Sequence, residues 1–372
     1  MGNCDSSKEN FRVNNNSKIS TLKKKASSHP NLSENKNITE KYKLNFKKNN
    51  SVNRIGSLQN KLYILPERIA KRENITKKYK ITKKILGEGA TSKVYLAENS
   101  SGEKFAIKRI SKDNIKHSKN LILQEAEICL ILNNKNIIKY YEIYEDLNFV
   151  SIVKEPAETD LFELIINNHL GNVPEEIAID FLLQILEVID YLHSNINIVH
   201  CDIKPENFVV KFDKENGNKP ILKLIDFGNA QRKPLNNEKL YNFCGTKEFM
   251  APEALEKSGF DEKVDEWAAG IIMYHMLTGL DPFISSNDND NELDYINNIK
   301  YKEIKFQYIK NEKLRKLNKK LLNRYAVKRI TAKQALKELK QIKNESFSND
   351  INNNINIKDY ERNLKSCIIK SL

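Results

Sequence analysis

Hydrophobic and polar positions divide the chain into three stretches. Over residues 1–78 the apolar residues stand singly among Asn, Lys and Ser, with no sustained period. Such a composition cannot bury enough apolar surface to offset the entropy lost on ordering, so a mostly disordered extension is expected. Within it, residues 61–75 are the one place where a short helix docking on the rest of the chain is expected. From Tyr79 the pattern changes to short β-like runs, YKITKKIL, KVYLAE and KFAIKRI. Residues 121–132 then show helical spacing of apolar positions, and NIIKYYEIY and NFVSIV follow as β-like runs. Five strands and one helix predict a small α+β lobe. After Asp160 helical patterns dominate. Residues 174–194 place Phe181, Leu182, Ile185, Leu186, Ile189 and Leu192 on one side of a long amphipathic helix. Residues 264–278 and 332–342 are further helices. The expected organisation is an α+β pair of unequal lobes with a cleft between them, about 79–154 and about 159–341. An Asn-rich tail, 342–372, completes it. In the tail Ile357, Tyr360, Leu364 and Ile368 recur at the spacing of a short helix, which packs on the domain or regulates it.

Composition narrows the function classes. The five cysteines (Cys4, Cys129, Cys201, Cys244, Cys367) are scattered, odd in number and without CxxC or Cys/His ligand spacing. That argues against a disulfide framework or a structural zinc site and fits a reducing compartment. The net charge of +13 is uneven: residues 1–78 hold 18 Lys+Arg against 6 Asp+Glu, and the remainder 44 against 43. The near-neutral body argues against reading the folded part as a nucleic-acid binder from charge. No apolar run reaches the ~20 residues of a membrane-spanning helix. The best stretch, 268–280, is short, contains His275 and Thr278, and reads as a buried core helix. The start, MGNCDSSKEN, lacks the apolar stretch of a secretory signal.

Three motifs carry chemistry. Gly87-Glu88-Gly89-Ala-Thr-Ser92-Lys-Val94 sits between two β-like runs, where glycine lets backbone approach phosphates or turn tightly. Alone, it reads as a nucleotide loop or as an ordinary hairpin turn. Phe105-Ala106-Ile107-Lys108 comes next, one β-like run beyond Val94. A lysine inside an apolar strand is costly unless paired; Glu125 on the next helix is a candidate partner, and a lysine snorkelling at a strand edge is the bland alternative. The third signal is His200-Cys201-Asp202-Ile203-Lys204-Pro205-Glu206-Asn207. Asp226-Phe227-Gly228 and then Ala251-Pro252-Glu253 follow Asp202 at two nearly equal intervals.

With these motifs in this order, the chain resembles the eukaryotic protein kinase family over roughly residues 79–341. The resemblance implies a bilobal α+β kinase fold and phosphoryl transfer from ATP with Mg²⁺ or Mn²⁺, a reaction that asks mainly for positioning and charge neutralisation. It implies that Gly87, Glu88, Gly89, Val94, Ala106 and Val209 line the ATP site. Lys108 would hold the α- and β-phosphates and Glu125 would hold Lys108. Asp226 and Asn207 would bind the two metal ions. Asp202 would orient the substrate hydroxyl and accept its proton, and Lys204 would offset charge near the γ-phosphate. Phe227 and His200 would stack in a core column. Backbone groups of Glu155 to Ala157 would meet adenine, either Val153 or Lys154 would guard the back of the pocket, and Asp160 would reach the ribose. Asp265-Glu-Trp267-Ala-Ala-Gly270 is similar to the central helix of the large lobe, with Asp265 bonding the catalytic-loop backbone, and Arg329 would pair with Glu253.

Lys204 two positions after Asp202 is the serine/threonine pattern, and Thr246 would bond Asp202 and Lys204 to shape the substrate platform with Glu206. YYEIYED looks like the calcium/calmodulin-dependent and calcium-dependent group, although this chain carries no EF-hands; FCGTKEFMAPE also resembles the cyclic-nucleotide-dependent group. The acidic run 288–292 lacks the Gly and Glu of a calcium loop and reads as solvated. Asp160 and Glu206 stand where basophilic relatives read an upstream arginine; His275 replaces a further acid, so a second basic preference is not expected.

Two departures bear on regulation. Cys201 replaces the arginine that grips an activation-loop phosphate in the family. Tyr241 and Thr246 are the only side-chain hydroxyls between Asn229 and Met250. Activity independent of phosphorylation of that loop is expected, with Cys201 an inert buried residue rather than a redox sensor. At the other end, Met1-Gly2-Asn3-Cys4-Asp5-Ser6 matches the N-myristoylation pattern on Gly2, and Cys4 is a palmitoylation candidate. One acyl chain binds marginally, whereas a second chain or a basic patch anchors stably; Lys23-Lys24-Lys25 and the lysines of 41–48 supply the patch. Ser27 and Ser28 beside it could switch it if phosphorylated. The expected site of action is the cytoplasmic face of a membrane, with some cytosolic pool. Expected partners are Ser/Thr protein substrates, the anionic membrane surface and a regulator of the tail, calmodulin-like or other, and not nucleic acid. The alternative, a membrane-bound pseudokinase scaffold, would need the loss of a phosphate or metal ligand, and Lys108, Glu125, Asp202, Asn207 and Asp226 are all present.

Overall fold

Strands β1 (Tyr79–Glu88), β2 (Ser92–Asn99) and β3 (Lys104–Ser111) form an antiparallel meander, and β4 (Tyr140–Glu145) and β5 (Phe149–Lys154) complete a five-stranded sheet ordered β1-β2-β3-β5-β4. The computed structural model describes residues 63–89, 92–112, 119–157, 159–163, 173–213, 219–233, 238–241, 245–283 and 292–347, which fall into two compact units. Gly2, Cys4, the lysine runs, the acidic run 288–292 and the tail repeat 357–368 lie outside the described residues, apart from Glu292.

The first unit comprises the chain up to Lys119 together with Glu142–Val153. Its period-2 pattern works as strands require. Phe105 and Ile107 of β3 turn to one face and join Ile75, Tyr79, Ala97, Tyr144 and Val153. Ala106, Lys108 and Ile110 take the other face by alternation, and all three are buried. Tyr79 meets Phe105 edge-on at 5.0 Å and Tyr144 at 6.2 Å.

Residues 63–78, assigned by composition to the extension, pack on this sheet. The expected docking helix is absent there: Pro66 O accepts from Ile69 N and Ala70 N in a single turn. Lys71 then pairs in parallel with Tyr144 on β4, with Lys71 N donating to Ile143 O at 2.9 Å and Glu145 N to Lys71 O at 3.0 Å. Leu65, Ile69, Ala70 and Ile75 are buried. The cause lies in β4. Its outer edge offers unpaired backbone groups, and Glu145, 0 % exposed, must find donors. The strap supplies them: Ile64 N at 2.6 Å, Leu65 N at 3.0 Å and the Arg72 guanidinium, with Lys112 Nζ at 2.7 Å from the body of the unit. The expected docking is there but its form is an extended strap, which local pattern could not give because the apolar residues of 63–75 are few and their partners lie far along the chain, 80 positions away for Leu65 and Glu145.

The second unit begins at Asn120 and resumes at Lys154. Helix α1 (Lys119–Ile131) precedes β4; α2 (Glu175–Asp190) ends in a π-helical turn, Tyr191–Ile196, closed by Asn197 in the left-handed region. Strands β6 (Thr159–Asp160), β8 (Phe208–Asp213) and β9 (Lys219–Leu224) form one small sheet, and β7 (Ile198–Val199) pairs with β10 (Gln231–Arg232). Helices α3 (Pro252–Leu255), α4 (Lys263–Thr278), α5 (Glu292–Tyr301), α6 (Glu312–Leu321) and α7 (Ala332–Phe347) follow, so α7 runs past the expected boundary at Gln341. Helix α4 is buried almost all round. Trp267 stacks on Phe283 at 5.6 Å, and a Cβ on Gly270 would come within 2.9 Å of Leu321, so only glycine permits that approach. Each large apolar side chain buried here contributes about 1.5–3 kcal/mol. Asn311 caps α6 through Lys313 N and Leu314 N, while its amide donates to Glu175 at the start of α2. Among the described residues no helix is long and apolar enough to cross a membrane.

Candidate active site

Strand β7 leads directly into the motif, and α4 holds the turn that follows. Asp265, in the first turn of α4 and 1 % exposed, accepts from His200 N at 2.8 Å and Cys201 N at 2.9 Å. The two bonds hold Cys201 at φ 63, a left-handed conformation that a non-glycine residue keeps only when its surroundings over-determine it. The chain then runs extended to Lys204 and enters a 3-10 turn at Pro205–Asn207, started by the proline.

That turn brings four side chains together. Thr246 donates to Asp202 Oδ1 from both N, at 2.9 Å, and Oγ1, at 2.8 Å. Lys204 Nζ donates to Thr246 Oγ1 at 2.6 Å and lies 3.4 Å from Asp202 Oδ2. Asn207 Nδ2 donates to Asp202 O at 2.8 Å and to Oδ2 at 3.2 Å. Asp202 is thus a half-buried carboxylate whose position is set by Thr246 and Asn207, with the Lys204 cation beside it.

Asp226 comes next, at φ 65, its Oδ1 accepting from Gly228 N at 3.1 Å. Ile225 N donates to Asn207 O at 2.8 Å, which ties the end of β9 to the 3-10 turn. Asn207 spends its amide NH₂ on Asp202, leaving Oδ1 as an oxygen donor. One carboxylate and one amide oxygen suit a hard dication that takes its remaining ligands from phosphate and water, as Mg²⁺ does. Among the described residues no group of three or more His, Cys, Asp and Glu is arranged to hold a metal by protein side chains alone.

Phe227 is sandwiched in a column. His200 meets it edge-on at 5.0 Å and Tyr140 at 6.3 Å. Burial holds the His200 imidazole below its usual pKa, so it stacks as a neutral ring. Burial raises the Tyr140 hydroxyl far above its ordinary pKa, and Cys129, which bonds it, together with the Glu125 and Asp226 carboxylates pushes the same way. Cys129 and Tyr140 were not singled out from the sequence; the only signal was a tyrosine at an inward-facing strand position.

The remaining candidates sit around this core or in the first unit. Asp160 pairs across β6 and β8 with Val209. Glu206 projects from the 3-10 turn, and its Oε2 is buried without a hydrogen-bond partner. Burial raises its pKa, with the nearby Asp160 and Asp202 charges adding to the effect and Lys204 opposing it. Glu155 N donates to Lys139 O at 2.8 Å, and the Glu155 carboxylate pairs with Lys211 and with Lys223 at 3.3 Å; Ala157 follows, half-buried. In the first unit Gly87 and Glu88 lie on β1 opposite Val94 and Lys93, and Gly89 N donates to Ser92 O at 2.8 Å. Neither Gly87 nor Gly89 has a positive φ, and a Cβ on Gly87 would meet nothing within 4 Å. Gly87 therefore leaves its face bare, while Gly89 closes the connection from β1 to β2 without a positive φ. Val94 is registered opposite Lys108. Lys108, with Ala106, belongs to the first unit and Glu125, on α1, to the second; both are buried. Val153 faces Ile107 and Phe105, away from Lys108, so alternation along β5 gives the other face to Lys154.

Outside the centre, Arg329 is 2 % exposed and bonds Glu253 with both arms, at 2.6 Å and 3.0 Å, while also donating to Lys263 O and Asn323 O. The guanidinium thereby joins the loop before α7 to α3 and α4.

Comparison with known proteins agrees with this arrangement. The family described as protein kinase domain matches residues 79–339. Calcium-dependent protein kinase 4 of Plasmodium berghei is 36 % identical over 211 residues, 56 % of this chain and 39 % of that protein. Calcium/calmodulin-dependent protein kinase type 1 of Caenorhabditis briggsae is 32 % identical over 222 residues, 59 % of this chain and 60 % of that protein. The match thus spans about two fifths of the Plasmodium relative and three fifths of the nematode one. A five-stranded sheet, a helical second unit and an Asp202–Lys204–Asn207–Thr246 constellation accompany a family match over most of the chain, which therefore belongs to the protein kinase domain family.

Proposed function

We propose that this chain transfers the γ-phosphate of ATP to serine and threonine hydroxyls of proteins, at the cytoplasmic face of a membrane and without phosphorylation of its activation loop. The observation that carries the reaction is the hold on Asp202. Thr246 holds Oδ1 with two donors, while Oδ2 takes a longer bond from Asn207 and remains the oxygen that can accept a proton from an incoming hydroxyl. Lys204, positioned by Thr246, sets a positive charge where the transferred group gains negative charge. Asn207 and Asp226 would hold Mg²⁺, which neutralises and orients the phosphates when bound. The test is purified protein with Mg²⁺ and ATP on a peptide library. Activity that disappears in Asp202→Asn supports the reading, and an inactive wild type supports the scaffold alternative.

The buried, partnerless Glu206 Oε2 close to the Asp160 charge favours substrates with a basic residue upstream of the hydroxyl. A guanidinium would satisfy an atom that otherwise bears an uncompensated desolvation cost. Peptides that lose that base should be phosphorylated more slowly by the wild type and no more slowly by Glu206→Gln; equal rates in the wild type would refute the preference.

Loop independence rests on two features. The Cys201 thiol lies buried 3.6 Å from Val199 O, where it offers no charge to a phosphate. The segment after Asp226 is held by other means: a two-bond bridge between Leu240 and Phe260, both at 2.8 Å, the Lys239–Asp261 pair, and Lys233–Glu262 at 2.7 Å. Phosphatase-treated protein should keep its activity, and loss of most of it would count against the reading. Membrane attachment rests on the Gly2 and Cys4 pattern with its basic arm. Gly2→Ala should move the protein to the soluble fraction.

A further inference from the structure

The second unit carries a concentrated basic surface that the near-neutral sum over residues 79–372 hides. Residues 302–345, covering α6 and α7, contain 15 Lys+Arg and 4 Asp+Glu. The α6–α7 corner is closed by Ile330 N donating to Lys320 O and by the Lys320–Glu338 pair at 2.8 Å, so both helices present lysines around one loop. Lys319, Lys328, Lys333 and Lys337 are exposed, and none pairs with a carboxylate among the described residues. At the tip of this loop stand two large residues that the fold does not use: Val327, 90 % exposed, and Tyr325, 69 % exposed with Lys328 Nζ 5.1 Å from its ring.

We propose that this corner docks on an anionic lipid bilayer, with Tyr325 and Val327 entering the interface and Lys319, Lys328, Lys333 and Lys337 meeting the headgroups. The inference deepens the membrane reading above by naming a contact surface, but its physical basis is independent of acylation. Two properties have to be matched at once, a field of cations and an apolar tip. An acidic polymer matches only the first: a nucleic acid offers phosphates to the lysines and a base to Tyr325, yet nothing that gains by covering Val327. A bilayer offers anionic headgroups with an apolar layer beneath, and tyrosine is suited to that boundary. Lysines near such a surface each add modestly to binding, so several must act together.

The test uses the full-length chain made without acylation, which leaves the basic arm the same in every sample. Sedimentation with pure phosphatidylcholine vesicles and with phosphatidylcholine vesicles enriched in phosphatidylserine measures partitioning. The expected result is that Lys319→Glu/Lys328→Glu/Lys333→Glu lowers partitioning to the anionic vesicles at least tenfold and Val327→Asp severalfold. Peptide phosphorylation in solution should stay unchanged, which shows that the variants are folded. Val327→Trp should shift its emission to the blue on adding anionic vesicles; Trp267, the one native tryptophan, is buried. Equal partitioning of all variants, or an emission that does not move, overturns the proposal, as does retention of Val327→Asp with loss confined to the charge variant, which would mark a charge-only surface. Loss of membrane attachment in Gly2→Ala with these vesicle results unchanged would separate the two readings.

Discussion

His193 and Asp265 form a buried pair, with Nε2 2.8 Å from Oδ2, and Glu266 Oε1 lies 3.4 Å from the other ring nitrogen. Asp265 is also the anchor of His200 N and Cys201 N, while Glu266 Oε1 accepts from Ala332 N at the start of α7. One imidazolium therefore balances the two carboxylates that join the catalytic loop, α4 and α7. Burial by itself would lower the pKa of His193, but Glu266 and Asp265 outweigh it and raise it to about 10.

This makes a pH prediction. A pKa raised above the ordinary 6.5 means the folded state binds the proton more tightly than the unfolded state. The stabilisation is fully present below about pH 6.5 and is lost as pH rises toward 10. Urea unfolding at a series of pH values should show wild type well above His193→Gln near pH 6, with the difference narrowing steadily from about pH 6.5 toward 10. A constant difference would show that His193 is neutral.

Thr246→Val removes the hydroxyl that bridges Lys204 and Asp202 and keeps the shape. The expected loss in kcat is about 10²-fold, in the range for a displaced acid–base or charge-stabilising group. The KM for ATP should change little. Thr246→Ser should recover most of the rate; failure to do so would mean that packing, rather than the hydroxyl, is what matters.

Arg329→Ala leaves the buried side of Glu253 without its cation and strips donors from two backbone carbonyls. Destabilisation of about 3–5 kcal/mol is expected, as for breaking one side of a buried pair. Arg329→Lys should recover only part, because an ammonium cannot grip both carboxylate oxygens in the same plane. Chemical denaturation with the two variants reads this directly.

Glu145→Ala should free the strap. It deletes the acceptor of Ile64 N, Leu65 N, Arg72 and Lys112, at a cost of about 3–5 kcal/mol. Limited proteolysis should then cut after Arg68, Lys71 or Arg72 in the variant well before the wild type. Glu142, also on β4, acts at low pH. Burial raises Glu142, but Lys71, Lys78, Tyr144 and Tyr79 overcome that and bring it to about 2. Its contribution is present above the ordinary 4.5 and is lost as pH falls from there toward 2. Glu142→Gln should therefore narrow the stability gap between pH 5 and pH 3.

The sequence by itself determined the element types of the strongly periodic runs and the motif residues. Period-2 runs from Tyr79 and the 3.6-period stripe of α2 are local signals, because strands and helices repeat with their own geometry. Asp202, Lys204, Asn207 and Asp226 stand in motifs that the sequence shows, and their roles were legible through the resemblance those motifs carry. Thr246 was legible only through the resemblance, since its bond to Asp202 spans 44 positions.

Tertiary structure decided what depends on burial. Composition placed 63–78 with the polar extension, yet a single buried acid on β4, Glu145, collects that strap by demanding donors. His193 is an ordinary residue in the sequence, and only the packing of α2 against α4 puts it between two carboxylates where it stays charged. The near-neutral sum over 79–372 concealed a basic corner, because a total carries no position and only the fold of α6 onto α7 gathers those lysines around Val327. Local pattern specifies which element forms; which polar groups lose water, and which side chains stay outside, is fixed by contacts between residues far apart in the chain.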